Sequence, residues 1–124
     1  MLALGVDLVE VARISALVER KGMERLRRLF TEAELAYARS SPPLAAQRLA
    51  ARFAAKEAFC KAIGRAVPFR EIELVTKGKR PCLVWQGRFY PVSLTHTARY
   101  AAAVVALEPT PSPLRSDPSA SPAA

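Results

Sequence analysis

The stretch RFAAKEAFCKAIG, residues 52–64, constrains the fold more than any other. At 100° per residue, Glu57 and Lys61 share a sector with Phe53, Ala54, Ala58 and Gly64, while Arg52 and Lys56 project from nearly the opposite side beside Phe59 and Ile63. The segment is therefore a helix that is apolar nearly all round, with two small charged windows let into it. A helix of this kind needs cover on several sides and belongs in the middle of a fold.

The flanking sequence predicts what supplies that cover. Residues 2–9 read as a strand, with Leu4, Val6 and Leu8 on one face and Gly5, Asp7 and Val9 on the other. A helix follows from about Val11, with Ile14, Leu17 and Val18 at core spacing and Gly22 as a stop. Leu26, Leu29 and Phe30 form a second apolar stripe on a segment whose Arg25, Arg27 and Arg28 face solvent or a partner. Thr31 and Glu34 then form a capping box for a short helix. Ser41-Pro42-Pro43 is a break, and Pro43 suits the first turn of the long helix that runs to Gly64. Beyond Pro68 the pattern turns to strands: REIELV, CLVW, FYPVSL and YAAAVVAL, joined by KGKRP and QGR turns. Helices followed by strands predict an α+β domain over residues 1–108, with one long central helix packed on an antiparallel sheet. Residues 109–124, rich in Pro, Ser and Ala, read as a disordered tail.

Charge narrows the partners. Nineteen Lys and Arg against eleven Asp and Glu give a net charge of +8. A pI near 10.2 accordingly points to a polyanion: nucleic acid, an anionic membrane, an acidic protein or a phosphorylated small molecule. Two cysteines, Cys60 and Cys82, give no disulfide framework and no Cys-based metal site. The opening MLALGVDLV is apolar for too short a span, lacks a basic leader and contains Asp7. It reads as neither signal peptide nor membrane anchor, and a cytoplasmic location is the expectation. Neither a Walker A loop nor a dinucleotide fingerprint is present.

Two carboxylates stand out, Asp7 on a strand face and Glu57 in an apolar helix wall, because a buried carboxylate needs a partner. Glu57 has an ordinary ion-pair candidate in Lys61, four residues on. If the fold instead brings Asp7 and Glu57 together, a shared proton or a cation must relieve their repulsion, and oxygen ligands suit magnesium holding a phosphate. His96, the only histidine, lies in VSLTHTARY among hydroxyl residues and is a candidate for binding phosphate or moving a proton, or a plain surface residue. The KGKRP turn, residues 77–81, has the composition of a phosphate-contacting loop and equally that of a basic hairpin turn.

Four stretches, in order, carry a family resemblance: GVDLVEVARI, FTEAEL, RFAAKEAFCKAIG and SLTHTARYAAAVV. Together they resemble the holo-acyl-carrier-protein synthases, the small trimeric type of 4'-phosphopantetheinyl transferase. The resemblance spans about residues 2–108. It implies transfer of the phosphopantetheine arm of coenzyme A to a serine of an acidic acyl carrier protein, with magnesium, releasing adenosine 3',5'-bisphosphate. It implies Asp7 and Glu57 as metal ligands, Lys61 against the diphosphate, and His96 near the same phosphates, with Glu57, Lys61 and His96 as the catalytic set. Coenzyme A contacts are implied for Arg52, Lys61, Gly78, Lys79, Pro81, Thr95 and His96. Arg13 is implied at the carrier-docking face, flanked by Leu17, Leu26 and Phe30. The wheel sends Arg52 away from Glu57, so it reaches either a distant part of the ligand or a neighbouring subunit of a homotrimer. The base that takes the serine proton is left open between Glu57 and a metal-bound water held by a carboxylate such as Asp7.

Two departures qualify the match. Between Gly64 and Ile72 the family carries a longer Gly-rich loop than RAVPFRE, and the family's S-L-S-H-T is S-L-T-H-T here. A competing reading, a nucleic-acid module using Arg25, Arg27, Arg28, Lys77, Lys79 and Arg80, lacks aromatics interleaved with its basic clusters and gives Asp7 and Glu57 no role. An interaction domain with a structural Glu57–Lys61 pair is the third reading.

Overall fold

The computed structural model describes residues 2–108; the tail expected over 109–124 lies outside the described residues. The chain runs from strand β1 (Ala3–Glu10) into helix α1 (Val11–Leu29) and helix α2 (Glu32–Arg39). A 3-10 turn at Pro42–Leu44 leads into the long helix α3 (Ala45–Ile63), and a second at Phe69–Glu71 into the remaining strands. These are β2 (Glu73–Lys77), β3 (Arg80–Trp85), β4 (Arg88–His96) and β5 (Tyr100–Leu107). The five strands form one antiparallel sheet in the order β1-β5-β4-β3-β2. The architecture is the expected α+β one.

Local chemistry explains the boundaries. Gly22 adopts φ 67°, so α1 breaks there, where the sequence predicts a stop, and resumes to Leu29. Thr31 and Glu34 make both halves of the capping box on α2. Gly64 ends α3 in the left-handed conformation, its N–H donating to the Cys60 carbonyl. Pro43 falls in the 3-10 turn, and α3 starts at Ala45, two residues later than expected.

Helix α3 is covered on several sides, as its pattern demands. Its alanines lie over β1 and β5, while Phe59 meets Trp85 and Tyr90 of β3 and β4 at centroid distances of 5.5 and 5.2 Å. Phe53 packs edge-on against Phe69, 5.3 Å away. The closest approach is at Gly5, where a Cβ would lie 1.9 Å from the Ala58 carbonyl oxygen. Glycine on β1 facing alanine on α3 lets the two backbones touch.

This contact decides which face of β1 is covered. Gly5 and Val9 are buried against α3, whereas Leu4, Val6 and Leu8 point outward and are 63–68% exposed. The more apolar face of the strand is thus the uncovered one, and half-exposed Val104 of β5 extends it. No helix among the described residues is long and apolar enough to cross a membrane.

Gly5→Ala inserts a methyl group where no room exists, so urea unfolding should show a loss of about 3 kcal/mol, the upper end of overpacking costs. A loss under about 1 kcal/mol would mean that β1 and α3 separate more easily than this packing implies.

Candidate active site

The expected site residues fall into three groups. The first lies where β1 meets the C-terminal half of α3. Asp7 shares the strand face of Gly5 and Val9, and Lys61 Nζ donates to its Oδ1 and to the Val6 carbonyl, both at 3.0 Å. Glu57 lies one turn before Lys61 on the same helical face. The ion pair expected within the helix does not form among the described residues, because Lys61 is committed to β1. Glu57 lines a cavity of about 370 Å³ with Arg13, Ile14, Leu17, Arg25, Leu29, Phe53 and Phe69. Arg13 sits over the Phe53 ring, 5.3 Å from its centroid. Glu57 and Arg13, expected as a metal ligand and as the carrier-facing arginine, therefore line one space.

Leu17 lines that space as expected, but Leu26 and Phe30 do not. Both are buried, 3% and 0% exposed, because their side of α1 turns inward to the core, and neither has surface to offer a carrier protein. Arg25, read only as solvent- or partner-facing, takes a place in the cavity wall.

The second group lies toward the N-terminal half of α3, on the side away from Glu57. Arg52 does point away from Glu57. Its guanidinium stacks on Tyr37 at 4.5 Å, beside that of Arg48 at 4.2 Å. Burial lowers the Arg52 pKa, with Glu34 and Tyr37 opposing, and its Nε is buried with no partner among the described residues. His96, at the exposed end of β4, hydrogen-bonds through Nδ1 to Gln47 Oε1 at 2.9 Å. Gln47 precedes Glu57 by ten helical residues, about 15 Å along the axis at 1.5 Å per residue. Within one chain, then, His96 and its neighbour Thr95 are not brought to Asp7, Glu57 and Lys61.

Gly78, Lys79 and Pro81 form the third group, at the β2–β3 hairpin. Gly78 takes φ 67° to close the turn, and Lys77 Nζ lies over Phe89 at 4.3 Å. In the sheet β3 is three strand intervals from β1, about 14 Å.

Three residues of interest escaped the sequence reading, and a fourth, Lys56, was placed on the helix without a role. Tyr37, Arg48 and Gln47 left no periodic signal, since their contacts cross between elements. Lys56 did leave one, a charge among alanines. It is wholly buried, and its Nζ donates to Glu34 Oε1 at 2.6 Å, so the capping-box carboxylate is also an ion-pair partner.

Asp7 and Glu57 offer hard oxygen donors on adjoining surfaces, and no cluster of three or more metal-ligating side chains exists among the described residues. That donor set fits magnesium, which keeps waters and substrate phosphates in its shell and takes one or two carboxylates from a protein.

Comparison with known proteins bears on the whole chain. Residues 3–105 match the model of the 4'-phosphopantetheinyl transferase superfamily. The chain belongs to that family. It is 43% identical over 120 residues to a holo-[acyl-carrier-protein] synthase of Thermus thermophilus, covering 87% of this chain and 94% of that protein. A Gloeobacter violaceus holo-[acyl-carrier-protein] synthase is 39% identical over 119 residues, covering 84% and 90%. Among solved structures, a Bacillus anthracis holo-(acyl-carrier-protein) synthase in complex with CoA (3',5'-ADP) superposes with a TM-score of 0.76 at 30% identity, over 87% of this chain and 96% of that one.

Tyr37→Leu removes the ring under both guanidiniums. Stability by thermal melting should fall by about 1 kcal/mol, the scale of cation–π contacts at partly exposed sites. An unchanged melt would mean that Arg48 and Arg52 gain nothing from the ring.

Proposed function

We propose that this chain transfers the 4'-phosphopantetheine group of coenzyme A to a serine of apo acyl carrier protein, releasing adenosine 3',5'-bisphosphate, for fatty acid biosynthesis in the cytoplasm. The observation that carries this reading is the Asp7–Lys61 ion pair where β1 crosses α3, with Glu57 one turn before Lys61, in a chain of this family. Family relatives named holo-[acyl-carrier-protein] synthase, and a relative's structure holding CoA, support it.

Asp7 and Glu57 would hold magnesium. When bound, that ion supplies Lewis-acid activation of the transferred phosphoryl group and a template for in-line attack. Lys61 is pre-positioned on Asp7 to bear on the diphosphate and offset charge on the leaving phosphate. Arg13, at the mouth shared with Glu57, meets the acidic carrier. His96, Thr95, Arg52 and the turn residues Gly78, Lys79 and Pro81 bind coenzyme A.

These last groups lie far from Asp7 in the chain's own fold, which favours a homotrimer whose sites are built between subunits. The uncovered face of Leu4, Val6 and Leu8 supplies apolar surface for such contacts.

Intact mass of a bacterial apo acyl carrier protein, incubated with this protein, coenzyme A and magnesium, should rise by one phosphopantetheine group, and should not rise without metal. No gain with folded protein and several carriers would overturn the reading. Asp7→Asn and Glu57→Gln should each cut the rate about 10²–10³-fold, as expected for loss of one preorganised electrostatic group. Glu57→Gln should leave the melting temperature nearly unchanged, because Glu57 has no ion pair or hydrogen bond among the described residues. Val6→Asp should convert the trimer to a folded monomer by sedimentation; a fully active wild-type monomer would refute the composite site.

A further inference from the structure

Lys56 is the one fully buried ammonium among the described residues, and nothing in the proposed chemistry uses it. Its three acceptors belong to three different elements. Besides Glu34 Oε1 of α2, Nζ donates to the Leu29 carbonyl at 2.8 Å and to the Phe69 carbonyl at 2.9 Å. Leu29 is the last residue of α1, where a carbonyl lacks a helical partner and a cation is favoured. Phe69 opens the 3-10 turn that precedes β2.

Both residues also line the cavity that holds Glu57 and Arg13. A third lining residue, Phe53, lies one turn before Lys56 on α3 and packs against Phe69. The opposite end of the network is equally tied: Glu34 accepts from the Thr31 N–H at 2.9 Å and, through Oε2, from the Leu74 N–H of β2 at 2.8 Å. Thr31 Oγ1 donates to Glu73. Every bond of the ammonium is made, in surroundings that exclude water, so each is directional and costly to move.

We propose that Lys56 is a positioning residue for the reaction: by holding the Leu29 and Phe69 carbonyls it sets the width of the cavity in which the carrier serine reaches Glu57. The proposal rests on the transferase reading. Residues 65–71 are otherwise held by Val67 in the core, the Phe53–Phe69 ring contact, a weak Cys60 thiol bond to the Val67 carbonyl at 3.8 Å and Arg65 over Trp85 at 5.2 Å. Among the described residues Lys56 thus supplies their one charged anchor.

Removing one member of a buried pair risks unfolding, whereas replacing both by apolar residues of similar size is often neutral. The variant to make is therefore Lys56→Met with Glu34→Leu, with Glu34→Gln as a milder companion that keeps both side-chain oxygen positions polar. Two readouts apply to whichever variant is folded. Amide hydrogen exchange in residues 28–35 and 66–72 should accelerate at least about tenfold relative to the β1–β5 pair, a local opening rather than a global one. The KM for apo carrier should rise about tenfold or more while that for coenzyme A holds, as expected when reacting groups are displaced by a fraction of an ångström.

Unchanged exchange in both segments, or equal rises in the two KM values, would overturn the proposal and leave Lys56 as an ion pair for stability alone. If wild-type protein transfers nothing to any carrier, the transferase reading fails; the exchange measurement still decides whether Lys56 holds the two segments.

Discussion

The backbone contact between Gly5 of β1 and Ala58 of α3 is the constraint on which the remaining geometry depends. Because no side chain separates the two elements there, the register of the strand along the helix is set by steric fit. Asp7, two residues on and on the same strand face, is carried to the helix surface one turn beyond the contact, where Lys61 meets it at 3.0 Å. The same contact turns Leu4, Val6 and Leu8 outward. One glycine thus fixes both an acid–base pairing on the covered side of β1 and an apolar strip on the other.

Register along the helix leaves its rotation to be decided, and the Lys56–Glu34 pair bears on that. Apolar packing is forgiving here: a surface of alanines offers little to distinguish neighbouring rotations, and α3 is alanine-rich on the side facing β1 and β5. A buried ammonium with three fixed acceptors is not forgiving, since any rotation strands it without partners. Burial pushes the Lys56 pKa down and Glu34 pulls it back, so the charged form depends on that carboxylate staying in place. The pair therefore does what apolar contacts cannot: it selects one orientation of α3, and with it the direction in which Glu57 faces.

The fold was largely legible in the sequence because its elements carry their own punctuation. Gly22 and Gly64 end helical segments, Thr31 and Glu34 cap α2, and alternation marks β1. The site was less legible, and for a definite reason. A helical wheel shows that Lys56 and Glu57 point to different sides, but not what lies opposite. The carboxylate that receives Lys56 is 22 residues away and already had a local explanation in the capping box. Leu26 and Phe30 fit an apolar stripe equally well as core or as docking surface, and only the packing of α1 decides for core. His96 was readable as a candidate, but its distance from Glu57 follows from which end of α3 Gln47 occupies, and no local pattern encodes that.

The separation of the two polar clusters is itself informative about size. The cavity beside Glu57, about 370 Å³, does not include Arg52, which points to the other side of α3, or His96 at the end of β4. A ligand that carries a nucleotide, a diphosphate and a long pantetheine arm is more extended than that cavity. Such a chain can hold it in two ways, by stretching it over an open surface or by adding surface from another copy. Among the described residues the Arg52 Nε is buried without a partner, and His96 is engaged through Nδ1 with Gln47. An apolar strip along β1 is likewise uncovered. Association between copies, the arrangement proposed above, would bury the apolar face of β1. The physical argument for the proposed assembly is therefore the strip of Leu4, Val6 and Leu8, which nothing covers among the described residues.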